Sequence, residues 1–417
     1  MAPVLSSLGL ILSSLEAIST LHAGFSDDVI QQVRTNLIAI ASQSWELGTA
    51  AEALTELEWP SLSVFNASSI PPPHVLDSSD DASDVLKIAT DTVNAKPGDS
   101  LALVANDGAV GDPASIGVAV LLANWTDSSD TSYGTAASGQ LDYLLNVAPR
   151  TDSGAISQRS DQAQLWADFI YMAPPFIAYY GALQGGDNGT SLLQSAYEQI
   201  SLYRDVLRDD NGLWRHIALG SWQDATTNHR SSGNGWAAAG MLRVLETIAH
   251  SPVASDFEDS SSNLAQWIQE IISTAWQYQA DNGTLLNTID DPSSFADSSG
   301  TALLASVTYR MAVYTKDTSL IPYADKAFTL IQNSIDSNGW LRNTVDPETF
   351  DTPSAANSAS PEGQAFVLLL QSAYRDYASS VASGATPISN STSSGTSDGD
   401  DDDNGTVVRR CRLVRHK

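Results

Sequence analysis

Residues 164–180 read QLWADFIYMAPPFIAYY, and a single carboxylate, Asp168, stands in that run between Trp166 and Met172. An ionisable group in so apolar a setting is costly unless it is paired or unless its raised pKa is used. Two readings follow: a proton-transfer group, or a carboxylate that caps a helix or turns to solvent. Other carboxylates placed to act are Asp107, Asp112, Asp161 and Asp297. An ordinary glycosidase needs two such groups flanking the scissile bond. Trp166, Trp214, Trp222, Trp236 and Trp340 offer faces for sugar rings or packing for a core. Arg150, Arg159, Arg215, Arg230 and Arg342 suit either an anionic ligand, gripped bidentately, or pairing with nearby Asp residues. His216 and His229 share one stretch and suit proton shuttling, donation to a carboxylate, or a structural place.

Other chemistries lack their signatures. There is no Gly-rich phosphate loop, Ser-His-Asp signature or zinc motif, and no strand precedes Gly233-Asn234-Gly235 to make it a dinucleotide fingerprint. No metal or cofactor is expected. The only cysteine, Cys411, lies near the end of the chain, which excludes an intramolecular disulfide. A formal charge of −29, from 20 basic and 49 acidic residues, argues against nucleic acid or an anionic membrane as partner. No apolar run reaches transmembrane length. The expected partner is an oligosaccharide, and the expected state is a monomer.

The elements that must position these groups read as helical hairpins. Periodic apolar residues mark amphipathic helices, as in Val29, Ile30, Val33, Leu37 and Ile40, and no alternating strand pattern stands out. Each is followed by a more apolar helix rich in small residues. The pairs are 27–43 with 44–58, 82–94 with 113–123, 140–147 with the Asp168 helix, 192–208 with 235–249, 264–280 with 301–314, and 323–335 with 362–377. The stretches Asp210-Asn211-Gly212, Asp281-Asn282-Gly283 and Ser337-Asn338-Gly339 repeat after amphipathic helices and read as helix C-caps. Helices apolar all round belong inside, and six such pairs closing on themselves make an all-α (α/α)6 barrel. An open α-solenoid is the alternative, but it would show polar capping helices at its ends. The long loops 95–112, 148–163, 209–233, 281–299 and 336–361 then gather on one rim, where a site would be built.

The expected domain spans 24–380. Residues 1–23 form a weak signal-peptide-like segment without a basic start, and 381–417 form a Ser/Gly/Asp-rich disordered tail. Asn66, Asn124, Asn188, Asn282, Asn390 and Asn404 each open an N-x-S/T triplet, which favours a secreted glycoprotein.

Three ordered motifs resemble a known group. Trp166-x-Asp168-x-x-x-Met172, Leu213-Trp214-Arg215-His216 and Gly233-Asn234-Gly235-Trp236 look like the unsaturated rhamnogalacturonyl hydrolases, glycoside hydrolase family 105. The resemblance implies a six-hairpin (α/α)6 fold, in agreement with the hairpins counted above. It implies removal of a 4,5-unsaturated uronic acid from the non-reducing end of pectin-derived oligosaccharides. By position Asp168 takes the acid/base role and Asp112 that of the second active-site Asp. Trp166, Met172, His216, Arg230, Asn234 and Trp236 would bind substrate. Two positions depart from the pattern: Ser232 stands where an Arg commonly precedes Gly-Asn-Gly-Trp, with Arg230 two residues earlier, and Gln158 stands where a His is common. Two alternatives stay open: an (α/α)6 glycosidase on saturated sugars, and a non-catalytic carbohydrate-binding relative.

Overall fold

Local capping starts the first helix: Ser26 Oγ accepts from the amide of Val29, and Asp27 and Asp28 sit in the first turn. The computed structural model describes residues 21–127, 129–222 and 228–387. Six hairpins follow one another. They are α1 (Asp27–Ile40) with α2 (Ser44–Glu58), and α3 (Ser83–Ala95) with α4 (Asp112–Ser115) and α5 (Gly117–Thr126). Next come α6 (Thr131–Asp142) with α7 (Phe169–Met172) and α8 (Pro174–Gln184), then α9 (Gly186–Leu207) with α10 (Ser231–Ala249). The last two are α11 (Glu258–Ala275) with α12 (Ser298–Thr315), and α13 (Ile321–Ser334) with α14 (Pro361–Ala382). The second member of each pair packs on its predecessor's second member, and α14 packs back on α2, so the inner ring is closed. The (α/α)6 barrel expected from the apolar pattern is the fold. An open solenoid would leave α2 and α14 apart.

Several boundaries differ from the sequence reading. The third outer helix begins at Thr131, well before residue 140, because the small residues of TSYGTAASG carry too little apolar contrast to announce a helix. It ends in a π-helical turn, Tyr143–Val147. The third inner helix is broken at Ala173, since Pro174 and Pro175 have no amide to donate to the turn before. That break makes α7 a single turn carrying Asp168 immediately before it. Gly240 on α10 makes the packing possible: a Cβ there would lie 2.1 Å from the carbonyl oxygen of Ile170.

The repeated Asn-Gly stretches are tight turns in the rim loops rather than helix C-caps. Gly212, Gly283 and Gly339 all have φ between 78° and 97°, the left-handed region that favours glycine. In each, the glycine amide donates three residues back, to Asp209, Ala280 or Asp336. Each turn is then fastened to the inner helix that follows by one buried polar side chain. Asn234 Oδ1 accepts from Trp214 N at 2.8 Å, Thr301 Oγ1 from Leu285 N at 2.9 Å, and Gln364 Oε1 from Leu341 N at 2.8 Å.

Two strand pairs, too short to give an alternating signal, also lace the rim. β1 (Leu165–Trp166) pairs with β2 (Ile217–Ala218), and β3 (Leu285–Leu286) with β4 (Ala296–Asp297), both antiparallel. Deeper in the barrel the axis is filled by a buried ion cluster. Arg243 lies 3.0 Å from Glu52 and 2.6 Å from Glu56, and Arg310 lies 2.7 Å from Glu56. Among the described residues no helix is long and apolar enough to cross a membrane. The signal-like segment up to residue 20 and the tail from 388, with Cys411, Asn390 and Asn404, lie outside the described residues.

Candidate active site

All six inner helices run from the rim into the barrel, so their N-terminal ends converge on one opening. A cleft of about 300 Å³ lies there. The first turns of every inner helix except the fifth contribute: Trp45, Asp112, Asp168, Ser232 and Glu362 all line it.

Asp168 does not stand alone. Its Oδ2 is 2.9 Å from Nε2 of His216, an ion-pair distance though not hydrogen-bond geometry, and its side chain keeps 21% of its surface. His216 is itself 3% exposed and is carried to this place by the β1–β2 pairing, in which Trp166 stands opposite Ile217. The solitary carboxylate of the apolar run is therefore a partnered group at the mouth of a cleft.

Asp112 lines the same cleft from the neighbouring inner helix. Gln158 Nε2 donates to its Oδ1 at 2.7 Å, which ties the Gln noted in the sequence to this carboxylate. Burial and the neighbouring Asp107 charge push the Asp112 carboxyl up to about 7, with Asp168 adding to the rise and the Gln158 bond opposing it. Buried Gln158 Oε1 makes no hydrogen bond.

Trp166, Met172 and Trp236 line the cleft as expected. Trp236 is nearly fully buried, packed on Tyr171 at 4.6 Å and Phe366 at 4.7 Å. Trp166 meets half-exposed Trp222 at 5.5 Å and Phe350 edge-on at 5.7 Å, forming an aromatic wall.

Two expected substrate-binding residues are elsewhere. Asn234 is fully buried, and its amide is saturated by the backbone of Trp214 and Arg230. It clamps the rim turn, as Thr301 and Gln364 do in later repeats, and does not line the cleft. Arg230 lies behind the wall, where it donates to the carbonyl of Phe350 and its guanidinium stacks 5.2 Å from that ring. It holds an aromatic overhang in place instead of facing a ligand.

The remaining arginines all have local partners, Arg159 with Asp161 at 4.0 Å among them. Arg215 bonds Asp209 at 2.6 Å, Arg342 bonds Asp336 at 2.7 Å, and Arg150 donates to backbone carbonyls. Arg159 alone of these reaches the cleft, over the Trp222 ring at 5.4 Å. His229 is held between Asp290 at 2.7 Å and Asp209 at 3.0 Å. Asp297 caps α12 through the amides of Ser299 and Gly300, Asp161 is exposed outside the cleft, and Trp214 is core.

Sequence reasoning missed Trp45, Phe350, Glu348 and Glu362, all of which line the cleft. For Trp45 and Glu362 a signal existed: each lies in the first turn of an inner helix, and the barrel topology points those turns at the rim. Phe350 had none. It adopts φ +50° in the 345–353 turn, a conformation that only the surrounding contacts impose.

Paired acids with an aromatic wall, set on the converging ends of an (α/α)6 barrel, define a carbohydrate-active enzyme of the six-hairpin glycosidase type. Residues 82–377 match the family model for Glycosyl Hydrolase Family 88, and the chain belongs to that family of glycoside hydrolases. The resemblance drawn from the Asp and Gly-Asn-Gly-Trp motifs is borne out at that level. The chain is similar in fold to a possible GH105 member from Salmonella enterica serovar Paratyphi A, with 19% identity and a TM-score of 0.64 over 84% of this chain and 93% of that one. It is similar to a possible GH105 member from Klebsiella pneumoniae, with 17% identity and a TM-score of 0.67 over 85% and 95%. A third neighbour is an unsaturated glucuronyl hydrolase specific for heparin, with 11% identity and a TM-score of 0.55 over 84% and 98%. No curated protein matches the chain.

Proposed function

We propose that the protein removes a 4,5-unsaturated uronic acid, of the unsaturated galacturonyl type, from the non-reducing end of pectin-derived oligosaccharides. The observation that carries this reading is the contrast between two acids in one cleft. Asp168 is partnered by His216 and open to the cleft, whereas Asp112 is buried against Gln158 and holds its proton up to about 7. Such a contrast lets two carboxyls in one cleft take different parts, one kept as a hydrogen-bond donor and the other facing the reacting atoms.

In the proposed sequence Asp168 gives its proton to C4 of the vinyl ether, and positive charge develops at C5 and the ring oxygen. Water adds at C5 and returns a proton to Asp168. The hemiketal opens, and the hemiacetal left at C1 collapses and frees the sugar it carried. His216, 2.9 Å from Asp168, stabilises the carboxylate between the two transfers. Protonated Asp112 is a hydrogen-bond donor toward the sugar. Trp166 and Trp222 supply faces for the ring and its aglycone. The positive ends of the inner helices favour an anionic sugar even among so many carboxylates.

The test uses two galacturonyl–rhamnose disaccharides that differ only in the C4–C5 double bond. Rhamnose is expected from the unsaturated one alone. Equal release from the saturated disaccharide would place the enzyme among ordinary glycosidases, and binding of either without release would make it a non-catalytic relative.

A further inference from the structure

The cleft contains a buried acid that the proposed mechanism does not use. Glu362, in the first turn of α14, is 7% exposed and lines the cleft. Its Oε1 accepts from Trp45 Nε1 at 2.9 Å, and no hydrogen bond within the described residues engages Oε2. Glu362 is not needed as a helix cap, because Ser360 already accepts from the Gly363 amide at 3.0 Å.

The charges that face Glu362 are almost all negative. Burial above all, then Asp168, Glu46 and Asp297 from the third, first and fifth inner helices, raise its carboxyl well above the usual range, with the Trp45 bond opposing them. Asp107, Asp112 and Glu348 line the same cleft, against His216 and Arg159 as the basic groups. Its place in a first turn favours the anion, but that effect is small beside burial among like charges.

We propose that Glu362 is a substrate-binding residue that acts as a neutral carboxylic acid, with Trp45 fixing Oε1 and the Oε2 hydroxyl donating a hydrogen bond to the carboxylate of the bound uronate. It thereby adds a donor from the first turn of α14 to the cleft that Ser232 lines from the first turn of α10. A hydroxyl donating to a carboxylate is a charge-assisted bond, stronger than a neutral one. Once Glu362 loses its proton the same contact becomes a repulsion between two carboxylates. The enzyme would then select its anionic substrate only while this acid is protonated.

The inference rests on the substrate reading above, and the experiment separates the two. Wild type, E362Q and E362L are compared on the unsaturated galacturonyl–rhamnose disaccharide, with KM and kcat followed from mildly acidic to alkaline pH. Glutamine keeps both the acceptor for Trp45 and an N–H donor but cannot ionise. Wild type is expected to show KM rising about tenfold per pH unit above the Glu362 titration. In E362Q the further rise of KM above the Glu362 titration is expected to vanish, while the change in kcat/KM near neutral pH owed to Asp112 persists. E362L is expected to raise KM on the order of tenfold to a hundredfold at all pH values, with the thermal transition retained. A rise of KM with pH in E362Q that matches wild type, or an E362Q as weak as E362L, overturns the role of Glu362 while leaving the substrate reading intact. No turnover by wild type overturns both.

Discussion

At the scale of single residues the account depends on a group placed to pass a proton to a double bond and take one back. Asp168 has the geometry for this: partial exposure into the cleft and an imidazole at 2.9 Å. Replacing it by Asn keeps the shape and removes the acid, so D168N is expected to lower kcat by about 10²–10⁴-fold with an unchanged thermal transition. An active, folded D168N would exclude the assignment. Asp112 predicts a different signature. Because its carboxyl is pushed up to about 7, an ionisation near neutral pH should appear in kcat/KM of wild type and vanish in D112N. Asp168 was readable in sequence because it interrupts an apolar run. Its partner was readable only as one of two histidines in a loop, and the structure separates them: His216 meets Asp168, whereas His229 is spent between Asp209 and Asp290.

At the scale of elements the site is held by repeated fastenings between rim turns and inner helices. Asn234 satisfies both the amide and the carbonyl of Trp214 from a fully buried position. N234A leaves those groups unpaired and is expected to cost on the order of 1–3 kcal/mol, read as a lower midpoint in denaturant. A loss of substrate affinity at unchanged stability would instead return Asn234 to the cleft. Arg230 acts one step further out, through the Phe350 carbonyl and ring. R230M is expected to loosen the 345–353 overhang and raise KM more than it lowers kcat, as steady-state kinetics will show. Neither role was legible in the chain: Gly-Asn-Gly-Trp announces a motif, but only the packed turn shows that the Asn faces inward. The hairpins themselves were legible, because amphipathic and all-apolar helices alternate. Their starts were not, where small residues as in 131–139 or a double proline as at Pro174 flatten or break the pattern.

At the scale of the whole molecule the charge distribution sets a pH dependence of stability. Burial, the first cause at each site, raises Asp112, Glu52 and Glu246 to about 7. Between the ordinary carboxylate range and about 7 the folded protein therefore holds more protons than the unfolded chain, and stability falls as pH rises through that window. The net charge of −29 adds repulsion in the same direction. Thermal melts should give a higher midpoint at pH 5 than at pH 8; the reverse order would contradict these assignments. Below about pH 4 the trend turns, because Asp209, Glu270 and Asp336, held low by their Arg and His partners against the cost of burial, lose those bonds. Of the sequons among the described residues, Asn188 and Asn282 are exposed while Asn66 and Asn124 are partly covered. On the sequence expectation of a secreted glycoprotein, peptide mapping should find glycan on the exposed pair.

The central claim is that this cleft hydrates the double bond of an unsaturated uronic acid. It is tested most directly by incubating the full chain with the products of a rhamnogalacturonan lyase and following the ultraviolet absorbance of the C4–C5 double bond. The account predicts that the absorbance disappears in step with release of the reducing sugar, and that D168N leaves both unchanged. Release of sugar with the absorbance intact would show that the glycosidic bond is cut without hydration, and would contradict it.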